Sequence, residues 1–241
     1  MKVLSIGNSF SQDAHRYVKG VCDAAGVQVR NVNLYIGGCS FERHYNNMLL
    51  GEAAYSLEEA GQSTGRMISL ADAIALDDWD IVTLQEVSFR SVNVENYEPY
   101  MSALAAYVRE RAPKAKIYLH KTWGYESLSE RIINRGYERQ SEMYADISVA
   151  CQRAKEIIGA DGIIPAGEAM DRLASLGYRV HRDTFHASLA LGRYAIALVW
   201  LKALFGVSPC GNSFREFDEP LSDEDIAVVQ RVVDEIEIFE R

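Results

Sequence analysis

Cysteine, histidine, proline and basic residues are all scarce in this sequence, and most of these scarcities exclude a class of function. The four cysteines, Cys22, Cys39, Cys151 and Cys210, form no C-x-x-C pair and have no close histidine spacing, so neither a zinc site nor a disulfide framework is signalled. Such scattered usage fits a reducing compartment. No two of the five histidines stand in an H-E-x-x-H pattern, and no metal site is expected. Lys and Arg number 25 against 34 Asp and Glu, a formal charge of −9. A surface of that sign repels phosphate backbones and anionic lipid, so nucleic acid and membrane are not the expected partners. Arg131, Arg135 and Arg139 are spaced by four, which one helical face would gather into a basic patch or simply present to solvent.

Long apolar runs are missing too. The opening M-K-V-L-S-I-G is too short for the core of a signal peptide. That makes the cytoplasm the expected location if the native chain begins here, and leaves a secreted origin open if it was trimmed. The longest apolar region, Ala187 to Phe205, is interrupted by Arg193 and Lys202 and reads as a buried helix, not a membrane span. No repeat, low-complexity tract or linker divides the chain. With 48% hydrophobic and 24% charged residues it has the means for a well-filled core, and residues 1–241 are read as one α/β domain.

What is present alternates. Val3 to Ile6 is a short strand ending at Gly7. The three- and four-residue spacing of Ala14, Tyr17, Val18, Val21, Cys22 and Ala25 predicts a helix that Gly26 closes. Val27 to Ile36 alternates as a strand up to Gly37-Gly38. A short helix is expected near 41–50, an irregular polar excursion up to residue 66, a helix over Ile68 to Leu76 and a strand at Asp80 to Leu84. Tyr97 to Arg111 is an amphipathic helix stopped by Pro113. Lys116 to His120 is a strand, Leu128 to Ile158 one long or two successive helices with a possible break at Gly136, and Gly162 to Pro165 a last strand. Ala187 to Phe205 and Ser222 to Phe239 are the closing helices, the latter with Ser222 as N-cap candidate. The alternation predicts a three-layer sandwich around a central parallel sheet of about five strands, and in such sheets ligands bind beyond the carboxyl ends of the strands.

The residues at those ends are therefore the candidates. Strand one runs into Gly7-Asn8-Ser9, placing Ser9 at a helix N-terminus whose free N–H groups favour developing negative charge. That suits a nucleophile, and equally an ordinary N-cap serine. The pattern is not G-x-S-x-G, G-x-G-x-x-G or a P-loop. A phosphate or nucleotide binder of flavodoxin type would use the same turn. Gly38, after strand two, permits close backbone approach to a ligand. Cys39 beside it has no evident histidine partner. Gln85, after strand three, has an amide able to donate to an oxyanion or to tie down a loop, and Glu86 is a substrate contact or a surface charge. His44 is placed to line the site. Trp123 and Tyr125, after strand four, either wall a pocket and stack on a sugar or lie in the core. In H181-R182-D183-T184-F185-H186, Asp183 stands three before His186, a spacing that lets a carboxylate orient an imidazole as a Ser–His pair requires. The alternative is Asp183 capping the following helix. His15, His120 and His181 lack such a partner.

Taken together these pieces resemble the SGNH hydrolases, also called GDSL-like esterases. Gly7-Asn8-Ser9 matches the first block, Gly38 the second, and Asp183-Thr184-Phe185-His186 the last, in the family's order and over nearly the whole chain. The third block departs: Leu84-Gln85-Glu86 replaces the usual asparagine block and is closer to the Q-G-E-S of sialate and xylan acetylesterase relatives. The resemblance, which looks closest to an uncharacterised bacterial subgroup, implies a flavodoxin-like SGNH fold and a Ser9–His186–Asp183 triad. It implies an oxyanion hole from Ser9, Gly38 and Gln85, and an acyl-enzyme formed without metal or cofactor. The expected substrate is a small-molecule or carbohydrate ester with a short acyl group, acetyl first. The alternatives are a lipase or thioesterase on the same triad, or an inactive carbohydrate-binding module. Oligomeric state is not implied.

Overall fold

The computed structural model describes residues 1–238; Phe239, where the last helix was expected to end, lies outside them, and within them that helix ends at Asp234. Five strands form the parallel core: β1 (Lys2–Gly7), β2 (Arg30–Tyr35), and, numbered past an intervening hairpin, β5 (Ile81–Leu84), β6 (Lys116–His120) and β7 (Gly162–Ile164). The hairpin is β3 (Tyr55–Glu59) and β4 (Gln62–Ile68), antiparallel on the outer edge of β2, so that the seven-stranded order is β4-β3-β2-β1-β5-β6-β7. The excursion expected to be irregular is thus an extension of the sheet. β4, Q-S-T-G-R-M-I, left no trace in the hydropathy pattern because it is an edge strand exposed along nearly its whole length and nothing imposes alternation on it, while β3 buries Tyr55 and Leu57 over only five residues.

Alternate residues of each strand point to opposite faces, and each face carries its own core. Val3, Ile81, Tyr118 and Ile164 face α1 (Ser9–Ala24), α7 (Ala166–Ser175), α8 (Leu191–Phe205) and α9 (Asp223–Asp234). Leu4, Ile6, Val82, Leu84, Ile117 and Leu119 face α2 (Phe41–Leu50), α3 (Leu70–Ile74), α4 (Tyr100–Arg111) and much of α6 (Gln140–Ile158). The result is the expected three-layer sandwich, with two more strands than anticipated. Leu191–Phe205 is buried on all sides, and among the described residues no helix is long and apolar enough to cross a membrane. Ser222 does cap α9, accepting from Asp225 N–H at 3.1 Å.

Two elements differ from expectation. Helix α7 was not anticipated, although Ala166, Ala169, Met170 and Leu173 carry the buried spacing of a helix. The segment 128–158 is split: α5 covers only Glu130–Ile133, Arg135 lies in the turn beyond it and Arg139 is the N-cap of α6. Arg131, Arg135 and Arg139 therefore share no helical face.

The chain leaves β1 for β2 on one side and returns to β5 on the other. The end of β1 is therefore the switch point where an open parallel sheet leaves a crevice. Ser9 stands there as the first residue of α1.

Candidate active site

Asn8 holds the three central strand ends together. It caps α1 by accepting from Phe10 N–H (3.0 Å), and its amide donates to the Cys39 carbonyl (2.9 Å) in the loop after β2. The Gln85 amide, at the end of β5, donates to Asn8 Oδ1 (2.6 Å). His120, at the end of β6, donates from Nδ1 to Gln85 Oε1 (2.7 Å). Beside this chain, Glu86 Oε1 accepts from Phe41 N–H (2.9 Å) and Val87 N–H (2.7 Å), pinning the start of α2 to the end of β5. The Ser9 turn and the Gly38 loop are thereby locked to one another. Among the described residues neither Ser9 N–H nor Gly38 N–H has an acceptor, and Gly38 has φ +61°, open to glycine at no steric cost.

Asp183 and His186 arrive from 174 or more residues away. Asp183 Oδ1 accepts from His186 N–H (2.9 Å) and, more weakly, from Phe185 N–H (3.5 Å), folding residues 183–186 into a turn with Thr184 at φ +74°. Asp183 Oδ2 lies 2.7 Å from His186 Nδ1. A carboxylate only accepts, so Nδ1 carries the proton and Nε2 is left as an acceptor. Ser9 Oγ lies 2.9 Å from that Nε2. Burial works against the charge on Asp183, but the hydrogen bonds from His186 and Phe185 outweigh it and hold the carboxyl below its usual range. Asp183 caps no helix, because α8 begins only at Leu191, with Ala187 held in a bridge to His181 and residues 189–190 in a turn before it.

A clamp not foreseen in the sequence anchors this turn to α1. Asp13, one turn beyond Ser9 on α1 and fully buried, accepts from Arg182 Nη1 (2.8 Å), Arg193 Nε (2.9 Å) and Ala187 N–H (3.1 Å). Arg182 Nη1 also donates to the Ala187 carbonyl (2.6 Å). Trp123 Nε1 donates to the Phe185 carbonyl (2.7 Å), and Glu126 N–H to that of Thr184 (2.8 Å). The signal was available: Asp13 falls on the apolar stripe of Phe10, Ala14 and Tyr17, and a carboxylate on a buried face needs partners.

Four expected substrate contacts are not at a surface. Trp123 is fully buried, stacked on Phe10 with ring centroids 4.2 Å apart. Tyr125 is buried against the Ser88 hydroxyl (2.9 Å). His44 is buried and stacked on Tyr55, its Nδ1 facing the Tyr55 hydroxyl (3.1 Å) and the Cys39 thiol (3.4 Å). Cys39 thus has a histidine beside it after all, but burial pushes the thiol up to about 12 and the imidazole down to about 3, so both stay neutral and neither reaches solvent. Gln85 is committed to Asn8 and His120, leaving one amide hydrogen for any other partner. His15 and His120, both buried and pushed down to about 3, lie in the core, and His181 faces the Gly124 carbonyl (3.0 Å).

Glu86 is the fourth. Its side chain is 0% exposed, and burial pushes its carboxyl up to about 7 despite the two backbone donors. A carboxyl raised on folding favours the protonated folded state. Its contribution is full below the unfolded value near 4.5 and is lost as pH rises through about 7. Glu86→Gln keeps an acceptor for both N–H groups and removes the titration. The expected outcome is that wild type loses roughly 1–3 kcal/mol relative to the variant between pH 5 and pH 8 in parallel denaturant titrations. Identical pH slopes would assign the ionisation elsewhere.

The family described as "Domain of unknown function (DUF4886)" matches residues 2–230. The crystal structure of a DUF4886 family protein from Bacteroides uniformis ATCC 8492 is 31% identical, with TM-score 0.89 over 97% of this chain and 93% of its own. A candidate SGNH hydrolase from Slackia heliotrinireducens, 20% identical, matches with TM-score 0.59 over 85% of this chain and 98% of its own. The psychrotrophic esterase EstA from Pseudoalteromonas sp., solved inhibited by monoethylphosphonate, is 12% identical, with TM-score 0.51 over 82% and 91%. No curated protein matches the chain significantly. The architecture is therefore that of the SGNH hydrolases, and the chain belongs to the DUF4886 family.

Proposed function

We propose that this protein is a serine esterase acting through Ser9, His186 and Asp183. One observation carries the reading: a continuous hydrogen-bonded line from Asp183 Oδ2 through the His186 ring to Ser9 Oγ, at the switch point of the sheet and the first turn of α1. His186 Nε2 takes the Ser9 proton as Oγ attacks the ester carbonyl, and Asp183 stabilises the imidazolium. The N–H groups of Ser9 and Gly38 receive the oxyanion, supported by the remaining N–H of Gln85, each donor of this kind being worth roughly 10²–10³ in kcat. The imidazolium then protonates the departing alcohol. Water, deprotonated by His186, releases the acid from the acyl-enzyme and restores Ser9.

The aromatic side chains around His186 favour a short acyl group. Phe10 and Trp123 stack on one another, and Phe185 covers the imidazole at 3.8 Å, so they fill space instead of walling a long channel. The carbohydrate part of the expectation loses Trp123 and Tyr125, since both are buried, and keeps only the polar 39–66 segment as its motive. The test is labelling with a fluorophosphonate, followed by p-nitrophenyl esters of increasing acyl length. A single adduct on Ser9 and a rate that falls from acetyl to longer chains are expected. Labelling with a preference for long chains would replace the short-acyl reading by a lipase or thioesterase one, and an unlabelled Ser9 would leave a binding module.

A further inference from the structure

Between β6 and α6 the chain rises into a lip over the Asp183–His186 turn. Glu126 N–H fastens it to the Thr184 carbonyl, and its base is closed by Leu128 N–H on the Glu138 carbonyl (2.8 Å) and Gln140 N–H on Ser127 Oγ (2.9 Å). Leu128 stands at the bend with φ +61° and is 73% exposed, a backbone region a branched side chain enters only when its surroundings hold it there. Beyond it, Arg131 lays its guanidinium over Phe185, Cζ to ring centroid 4.0 Å, with Tyr125 at 5.8 Å. Phe185 in turn lies on the His186 ring. Arg131 is therefore one aromatic ring away from the imidazole.

Its donors are unused. Among the described residues no carboxylate comes within ion-pair distance of Arg131 and no acceptor takes any of its N–H groups. Four other arginines about this end of the sheet are committed: Arg90 to Glu42, Arg139 to Glu142, Arg182 and Arg193 to Asp13. Arg135, over the Phe89 ring at 5.2 Å, likewise has no carboxylate partner among the described residues. In a chain of net charge −9, two unpaired arginines are thus held at one lip beside the candidate nucleophile. A guanidinium stacked on a ring keeps its plane fixed and offers its edge N–H groups to a planar or tetrahedral anion.

We infer that Arg131 is a specificity determinant that receives an anionic substituent, a carboxylate or a phosphate, on the alcohol portion of the ester. The inference rests on the esterase reading, and the side of the ester follows from it. The imidazole protonates the leaving oxygen, so the alcohol must pass alongside His186, and Phe185 and Arg131 continue that same side. Acetyl esters of hydroxy acids or of phosphorylated alcohols have this form.

The test uses one acetyl ester with three substituents: 4-acetoxybenzoate, 4-acetoxyphenyl phosphate and the neutral methyl 4-acetoxybenzoate. The readout is kcat/KM for each anionic ester divided by that for the neutral one. In Arg131→Gln this ratio is expected to fall roughly tenfold below wild type for the preferred anion, the size of one partly exposed charged hydrogen bond. Arg131→Lys is expected to fall between, and the wild-type ratio to shrink as salt is raised. A ratio unchanged by Arg131→Gln would overturn the inference, and which ester responds separates carboxylate from phosphate. If wild type turns over none of the three, the esterase reading fails. Binding of 4-hydroxybenzoate and phenyl phosphate, followed by NMR shifts in both proteins, then decides the subsite. Binding weakened in Arg131→Gln upholds it, and equal or absent binding rejects it.

Discussion

Ser9→Ala is expected to lower kcat on p-nitrophenyl acetate by roughly 10⁴–10⁶-fold, the loss that follows removal of a nucleophile from a cooperating triad. The fold has little reason to notice. The N-terminus of α1 is capped by Asn8, not Ser9, and the partner the Ser9 hydroxyl has in the structure is His186 Nε2. Thermal unfolding should therefore change little, within the roughly 0.5 kcal/mol common for substitutions away from special features. His186→Ala should cost about as much, and the double variant no more than either alone, because side chains acting in one step do not contribute additively. The measurement is burst and steady-state kinetics of the three variants beside fluorophosphonate labelling. Full turnover by folded Ser9→Ala would reject the mechanism, and additive losses would deny that the two side chains share a step.

The second large effect is expected at a residue that touches no substrate. Asp13→Ala leaves Arg182 and Arg193 facing a buried position without their shared carboxylate. Removing one member of such a pair costs roughly 3–5 kcal/mol. For a chain of this length that is a fall in melting midpoint of roughly 6–20 °C. The same carboxylate accepts from Ala187 N–H, the residue after His186, so its loss also frees the turn that aims the imidazole. Displacements of about 1 Å at a reacting group cost on the order of 10²-fold. The expectation is therefore a kcat roughly 10²-fold lower, with KM little changed, at a temperature where circular dichroism shows the variant fully folded. A folded variant with unimpaired kcat would make the clamp a stability device alone. Asp13→Asn, which keeps the shape and loses the charge, should recover part of the midpoint if packing contributes.

The elements legible in the sequence were those whose pattern is imposed by burial on a known face. Lys116–His120 and Phe41–Leu50 stand where hydropathy and turn residues placed them. The helix ends on α8 and α4 moved inward, to Leu191 and Tyr100, because tertiary contacts hold the preceding residues in turns that local periodicity does not distinguish from helix. Of the β3–β4 hairpin, β4 was invisible because an edge strand has no buried side to record, and β3 shows its apolar buried side only at Tyr55 and Leu57, too short a pattern to tell from a loop. For a related reason the sequence leaves Trp123 and Tyr125 open between pocket and core and puts His44 and Glu86 at the site or surface, where the structure buries all four. Position after a strand says that a residue lies near the crevice, but not whether its side chain turns into solvent or back under the loops.

By itself the sequence determined which chemistry is available: a serine at the mouth of the first helix, an acid and an imidazole three apart, and five strands with helices between them. Those are local properties, carried by residue type and short spacing. Only the tertiary structure decided that Asp183 bonds His186 instead of capping α8, that Gln85 and Glu86 brace the loops from beneath, and that Asp13 binds the two halves of the site together. Each of these depends on which groups meet across long chain separations once water is excluded. A hydrogen bond or ion pair between buried groups is chosen by that geometry, and the order of residues along the chain does not contain it.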